Sequence, residues 1–198
     1  MSQEKDVRLE DVAANKAELD DKARKMLEDK DADSRMRIYE GPLGKAIIVL
    51  LCVWTAFQLY FTTIGAISAI NLRAIHCIFL LLFTFLLFPT YKKEKRRRKL
   101  PPIWDWVFIL GSIGSFTYLI LNYTRIAQTG GRISDMEVGI ALVAIVCVFE
   151  AARRASGNLA ILAAVFLAYN WFGAYLPGYF GHNGFTLKRV LITQFWGT

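Results

Sequence analysis

The residues from Ala74 to Phe88 are apolar except for His76 and Thr84, and the run stops at Pro89. Directly after it come Lys92, Lys93, Lys95, Arg96, Arg97, Arg98 and Lys99, interrupted only by Glu94. This junction constrains the chain more than any other stretch. An apolar segment of near-spanning length belongs in a bilayer, and a short, densely basic loop resists translocation, so the Pro89 end is expected to face the cytoplasm. A nucleic-acid reading of the basic run is weaker, because no aromatic residues are interleaved with it to stack on bases.

The rest of the chain divides in the same way. Residues 1–40 contain twelve acids and nine bases, whereas the remainder contains five acids and fifteen bases. The net charge of +7 therefore belongs to the apolar part, where topology and anionic headgroups explain it better than an acidic soluble partner does. No apolar region lies near Met1, so no cleavable signal peptide is expected and the first span must direct insertion. Cys52, Cys77 and Cys147 all sit in apolar runs without metal-like or redox spacing, and they read as packing residues.

Five apolar runs follow one another: Lys45 to Thr63, the run ending at Pro89, Ile103 to Leu121, Val138 to Phe149, and Leu159 to Tyr175. The expected fold is all-α, a polytopic membrane bundle of four to five transmembrane helices behind a charged cytoplasmic N-terminal arm. Its expected parts are the arm at 1–44, a four-helix membrane domain at 45–157, and a fifth apolar helix with a periplasmic-side tail at 158–198. Within the arm, loosely helical spacing allows a surface helix over roughly 8–30, with disorder as the alternative. Gly41 and Pro42 break the chain before the first span. An alternative for the fifth run is a helix lying along the membrane, and the tail residues Leu187, Val190, Leu191 and Phe195 suit one face of a short interfacial helix.

Details within the runs sharpen this plan. Trp104 and Trp106 bracket Asp105, which reads as an aromatic belt with one charge at headgroup level. Gly111, Ser112, Gly114 and Ser115 offer a face of small residues for close helix packing. Ser134 and Glu137 have the spacing of a capping box. Glu150 stands three and four residues before Arg153 and Arg154, so it can pair with either on one helix face. Arg73 and His76 lie in the outer turn of the second span, where both can reach the interface. The expected membrane anchors are Lys92, Lys93, Lys95, Arg96, Arg97, Arg98, Lys99, Trp104, Trp106, Arg153 and Arg154. No nucleophile elbow, phosphate loop or metal-ligand spacing is evident, so no enzyme activity and no cofactor is expected. Thr55, Gln58, Thr84, Ser112, Ser115, Thr117 and Asn170 read as helix–helix hydrogen bonders.

Several local patterns, taken in order, resemble a known family. They are Phe57-Gln58-Leu59-Tyr60, Arg73-Ala74-Ile75-His76, Phe88-Pro89, Trp104-Asp105-Trp106, Glu150 through Gly157, Tyr175-Leu176-Pro177-Gly178 and His182-Asn183-Gly184-Phe185. From about Lys45 to Trp196 the chain resembles the N-terminal small membrane part (4TM) of the fused permeases of TRAP transporters (tripartite ATP-independent periplasmic transporters), chiefly the TAXI-type branch. The resemblance implies three components: a periplasmic solute-binding protein, a large membrane domain that moves the solute under an ion gradient, and a small domain that braces it. The solute is often an organic acid. This chain is expected to be the bracing part, in the bacterial inner membrane, and not to transport on its own, since the family's ion and substrate sites lie beyond the region it resembles. The exposed aromatics of the outer segment mark Tyr175, Pro177, Tyr179, Phe180, His182 and Phe185 as expected contacts for the binding protein or the large domain. The alternatives are a stand-alone oligomeric channel or small transporter, and a membrane-embedded enzyme.

Overall fold

A computed structural model describes residues 20–22, 36–39, 41–65, 67–91, 97–98 and 100–197. Residues Met1–Met36 form one unit and Arg37–Thr198 another. In the first unit, residues 20–22 are helical; most of the surface helix expected over 8–30 lies outside the described residues.

The second unit is an all-α bundle. Its long helices are α1 (Pro42–Ile64), α2 (Ala69–Leu87), α3 (Ile103–Gln128), α4 (Asp135–Ala155) and α5 (Gly157–Phe172). Ile38–Tyr39 (β1) and Arg97–Arg98 (β2) add a two-residue parallel pairing. Two single 3-10 turns, Gly173–Tyr175 and Gly178–Phe180, follow α5, and the chain ends in α6 (Leu187–Leu191) and a π-turn, Ile192–Trp196. Among the described residues, four segments are long and apolar enough to cross a membrane: α1, α2, α3 and Gly157–Tyr175. Helix α4 has 21 residues, about 31 Å at 1.5 Å per residue, but it carries Asp135 and Glu137 at one end and Glu150, Arg153 and Arg154 at the other.

Local sequence explains the helix limits. Gly41 takes φ +79°, and Pro42 opens α1 at a position where its missing N–H is no loss. Gly44 is required by space, because a Cβ there would collide with the carbonyl of Tyr39. Helix α1 ends on Gly65 in the left-handed region, and Ser68 caps α2. Helix α2 ends at Leu87, just before Phe88-Pro89. The capping box at α4 forms as expected: Ser134 N–H donates to Glu137 Oε2 at 2.6 Å, and Glu137 N–H donates to the Ser134 hydroxyl at 3.3 Å. Helix α3 runs seven residues past the expected Leu121, so the loop expected over 122–137 shrinks to 129–134. Arg125 therefore stands in the last helical turn, where it pairs with Glu137.

The core lies where α2, α3 and α4 meet. Phe85, Ile109, Phe116, Ile126, Ala144 and Cys147 are among its buried members. The small-residue face of α3 packs as expected in part. A Cβ on Gly111 would stand 3.3 Å from Val143 Cγ1 and 3.5 Å from Cys147 Sγ, while Gly114 faces open space. Helix α1 contributes little to this core; Ile47 is its one buried residue. The tail differs from the expected interfacial helix. Val190, Leu191 and Trp196 are buried, with Phe195 against Phe116 and Trp196 against Tyr118. A tail that covers Trp196 completely removes its large ring from solvent and membrane alike, a stronger drive than laying one thin face on an interface.

Candidate functional site

At the Leu87 end of α2 the backbone leaves carbonyls without helical partners. Arg37 and Tyr39 supply them. Arg37 N–H donates to Leu87 O at 2.7 Å, its Nη1 donates to Phe85 O at 3.1 Å, and the Tyr39 hydroxyl donates to Leu86 O at 2.7 Å. A guanidinium at a helix C-terminus also meets the negative end of the helix dipole. The same Nη1 donates to Asp105 Oδ2 at 2.5 Å. From the opposite side Arg154 Nη1 donates to Asp105 Oδ1 at 2.7 Å. The Thr90 hydroxyl adds a 3.3 Å bond to Oδ1.

The side chains of Arg37, Asp105 and Arg154 are all 0% exposed. The network continues outward. Arg154 Nε donates to Glu150 at 2.8 Å, and Arg153 donates to both oxygens of Glu150 at 2.7 Å. Arg153 Nη2 reaches Thr90 O at 3.3 Å and Arg154 Nη1 reaches Phe88 O at 3.5 Å. The Arg154 guanidinium lies 4.9 Å from the ring centroid of Phe85 and 5.5 Å from that of Phe108, within cation–π range. Three arginines and two carboxylates thus join β1, the end of α2, the start of α3 and the end of α4. Chemically the cluster is a lock. Both oxygens of Asp105 are engaged by different arginines.

The expected pairing of Glu150 with Arg153 and Arg154 forms with both. Arg154, expected among the membrane anchors, turns inward, and Arg153 stays half-exposed. Trp104 and Trp106 are exposed on either side of fully buried Asp105, whose charge faces the protein interior rather than the headgroups expected for it. The anchors Lys92, Lys93, Lys95, Arg96 and Lys99 lie outside the described residues, and only the backbone of Arg97 and Arg98 is described. Sequence reasoning missed Arg37, which it left in the polar arm. Charge parity is a signal that could have found it: Glu150 can neutralise one of Arg153 and Arg154, and Asp105 has no local cation.

At the other end of α5, residues 173–186 fold back over the helix. His182 organises them. Its Nε2 lies 3.1 Å from Tyr169 O and its Nδ1 2.8 Å from Asn183 O, with Tyr169 and Phe185 packed on the ring. A Cβ on Gly173 would collide with that ring. The Tyr169 hydroxyl donates to Phe180 O at 2.5 Å and Phe185 N–H to Asn170 O at 3.0 Å. On this ordered base Tyr175, Tyr179 and Phe180 are strongly exposed, and Phe185 less so; Pro177 is exposed too. Of the six expected contact residues, His182 therefore serves as a keystone and the aromatics present the surface. Nearby, Lys188 donates to Asp135 at 2.8 Å and holds that exposed carboxyl, which precedes the apolar part of α4, below its ordinary pKa.

In comparisons with protein-family models, curated proteins and solved structures, no match to this chain was found.

Proposed function

We propose that the chain is the non-catalytic small membrane component of a TRAP-type secondary transporter of the TAXI-type branch. In this reading it sits in the bacterial inner membrane with its N-terminus in the cytoplasm. A large permease domain or subunit carries the solute, an organic acid, under an ion gradient, and a periplasmic binding protein delivers it. This chain stays still while its neighbour moves.

The observation that supports this reading is the convergence of three resemblance-bearing segments on one point. Asp105 of Trp104-Asp105-Trp106 is clamped by Arg154 of the segment after the fourth span, and the same arginine reaches the carbonyl of Phe88 in Phe88-Pro89. A frame that must resist a sliding neighbour needs helix ends that cannot shear, and the buried ion network of Arg37, Asp105 and Arg154 suits that need. The exposed aromatics Tyr175, Tyr179 and Phe180, held on the His182 base, suit a protein contact, since rigid aromatics bury area at low entropic cost.

The test is co-expression of the tagged chain with a TRAP-type large permease and a TAXI-type binding protein. A one-to-one membrane complex is expected. Tyr179→Ala with Phe180→Ala should lower uptake several-fold in the assembled system without loss of membrane expression. A chain that purifies alone, or that by itself supports solute flux in liposomes, would refute the proposal.

A further inference from the structure

A cleft of about 650 Å³ opens on the bundle, lined from α2, α3, α4, α5 and the tail. Its lining is apolar along Cys77, Ala144, Val148 and Phe166, and the polar exceptions include Arg73 and Gln194. Arg73 is exposed and makes no ion pair among the described residues. It stands twelve residues before Phe85 on α2, about 18 Å along the axis from the ion network, so it belongs to a separate site.

An arginine within a spanning helix is costly unless an anion or the interface meets its charge. Here it sits at a groove too apolar for a soluble organic anion and of a size typical of ligand sites. Inside a bilayer an acyl chain gains little from apolar walls, because neighbouring lipid tails are equally apolar. Discrimination must then come from the headgroup, and a guanidinium fork matches a phosphate oxygen pair. We propose that this cleft holds one anionic phospholipid, its headgroup paired with Arg73 beside Gln194 and one acyl chain lying along the apolar lining. The site goes beyond the transporter reading and does not depend on it.

The test uses the full purified chain in mild detergent, offered phosphatidylglycerol or phosphatidylcholine with identical acyl chains. Native mass spectrometry counts the lipid retained as detergent is stripped. One phosphatidylglycerol per chain is expected, about ten-fold over phosphatidylcholine. Arg73→Gln should reduce retention to the phosphatidylcholine level. Arg73 is exposed, so this change leaves the core intact. Ala163→Leu, which adds bulk at an exposed cleft position of α5, should lower retention of both lipids. Equal retention of the two lipids by the unaltered chain, or undiminished phosphatidylglycerol in Arg73→Gln, would overturn the proposal. So would a complex with a membrane partner that carries no lipid at this cleft, since a partner helix would then be the occupant.

Discussion

Replacing Asp105 with Asn tests the lock most directly. The two side chains have nearly the same shape, so little packing changes. The chemistry changes sharply. Asp105 accepts from Arg37 on one oxygen and from Arg154 on the other, at 2.5 and 2.7 Å. Asparagine has one acceptor oxygen, so one guanidinium must face an NH₂ group, donor against donor. Arg154 keeps Glu150 as a partner, and Arg37 keeps the carbonyls of Phe85 and Leu86. Removing one member of a buried charge pair costs about 3–5 kcal/mol, because the other charge stays desolvated. For a unit of this size that corresponds to a fall in Tm of roughly 6–20 °C. Thermal unfolding of the purified chain in one detergent, followed by tryptophan fluorescence, measures it. Arg153→Ala is the control. It also breaks contacts with Glu150, but Arg153 is half-exposed, so its loss should cost about 1 kcal/mol or less. If Asp105→Asn lowered Tm no more than Arg153→Ala, the carboxylate would not be holding the helix ends, and the argument for a rigid frame would fail.

Two further outcomes follow from the packing. Trp196→Ala should destabilise the unit by about 3–5 kcal/mol, as expected for deleting a fully buried large aromatic, and should make the tail after Thr186 accessible to limited proteolysis; an unchanged digestion pattern would count against the buried tail. Ser134→Ala should cost about 1 kcal/mol through loss of the α4 cap, readable as a Tm shift of a few degrees, with no change in the Asp105 network at the opposite end of that helix.

Apolar runs, the Gly41-Pro42 break, the Ser134 capping box and the Glu150 pairs were all legible in the sequence, because each depends on residues within a few positions of one another. The lock was not. Arg37 lies 68 residues from Asp105 and Arg154 lies 49, and hydrophobic periodicity carries no information about contacts at such range. Asp105 between two tryptophans reads as a belt charge because period and composition do not reveal which way a first-turn side chain points. The tail misled for a related reason. Leu187, Val190, Leu191 and Phe195 make a thin stripe that suits an interface equally well, and only the tertiary packing shows that Val190 and Leu191 are buried and Phe195 lies on Phe116. The groove at Arg73 likewise needed the tail in place before a cation near a helix end became part of a lined cleft.

The span of the lock bears on biogenesis. Its residues enter the chain in the order Arg37, Thr90, Asp105, Glu150, Arg154, so the acid is synthesised well before one of its two clamping arginines. Until α4 has left the ribosome and inserted, Asp105 sits at the head of an apolar helix with one of its two arginines missing. A nascent chain halted before Arg154 would therefore hold Asp105 from the Arg37 side alone, with Oδ1 lacking its arginine. Completion of the fourth helix and closure of the Asp105 clamp are the same event.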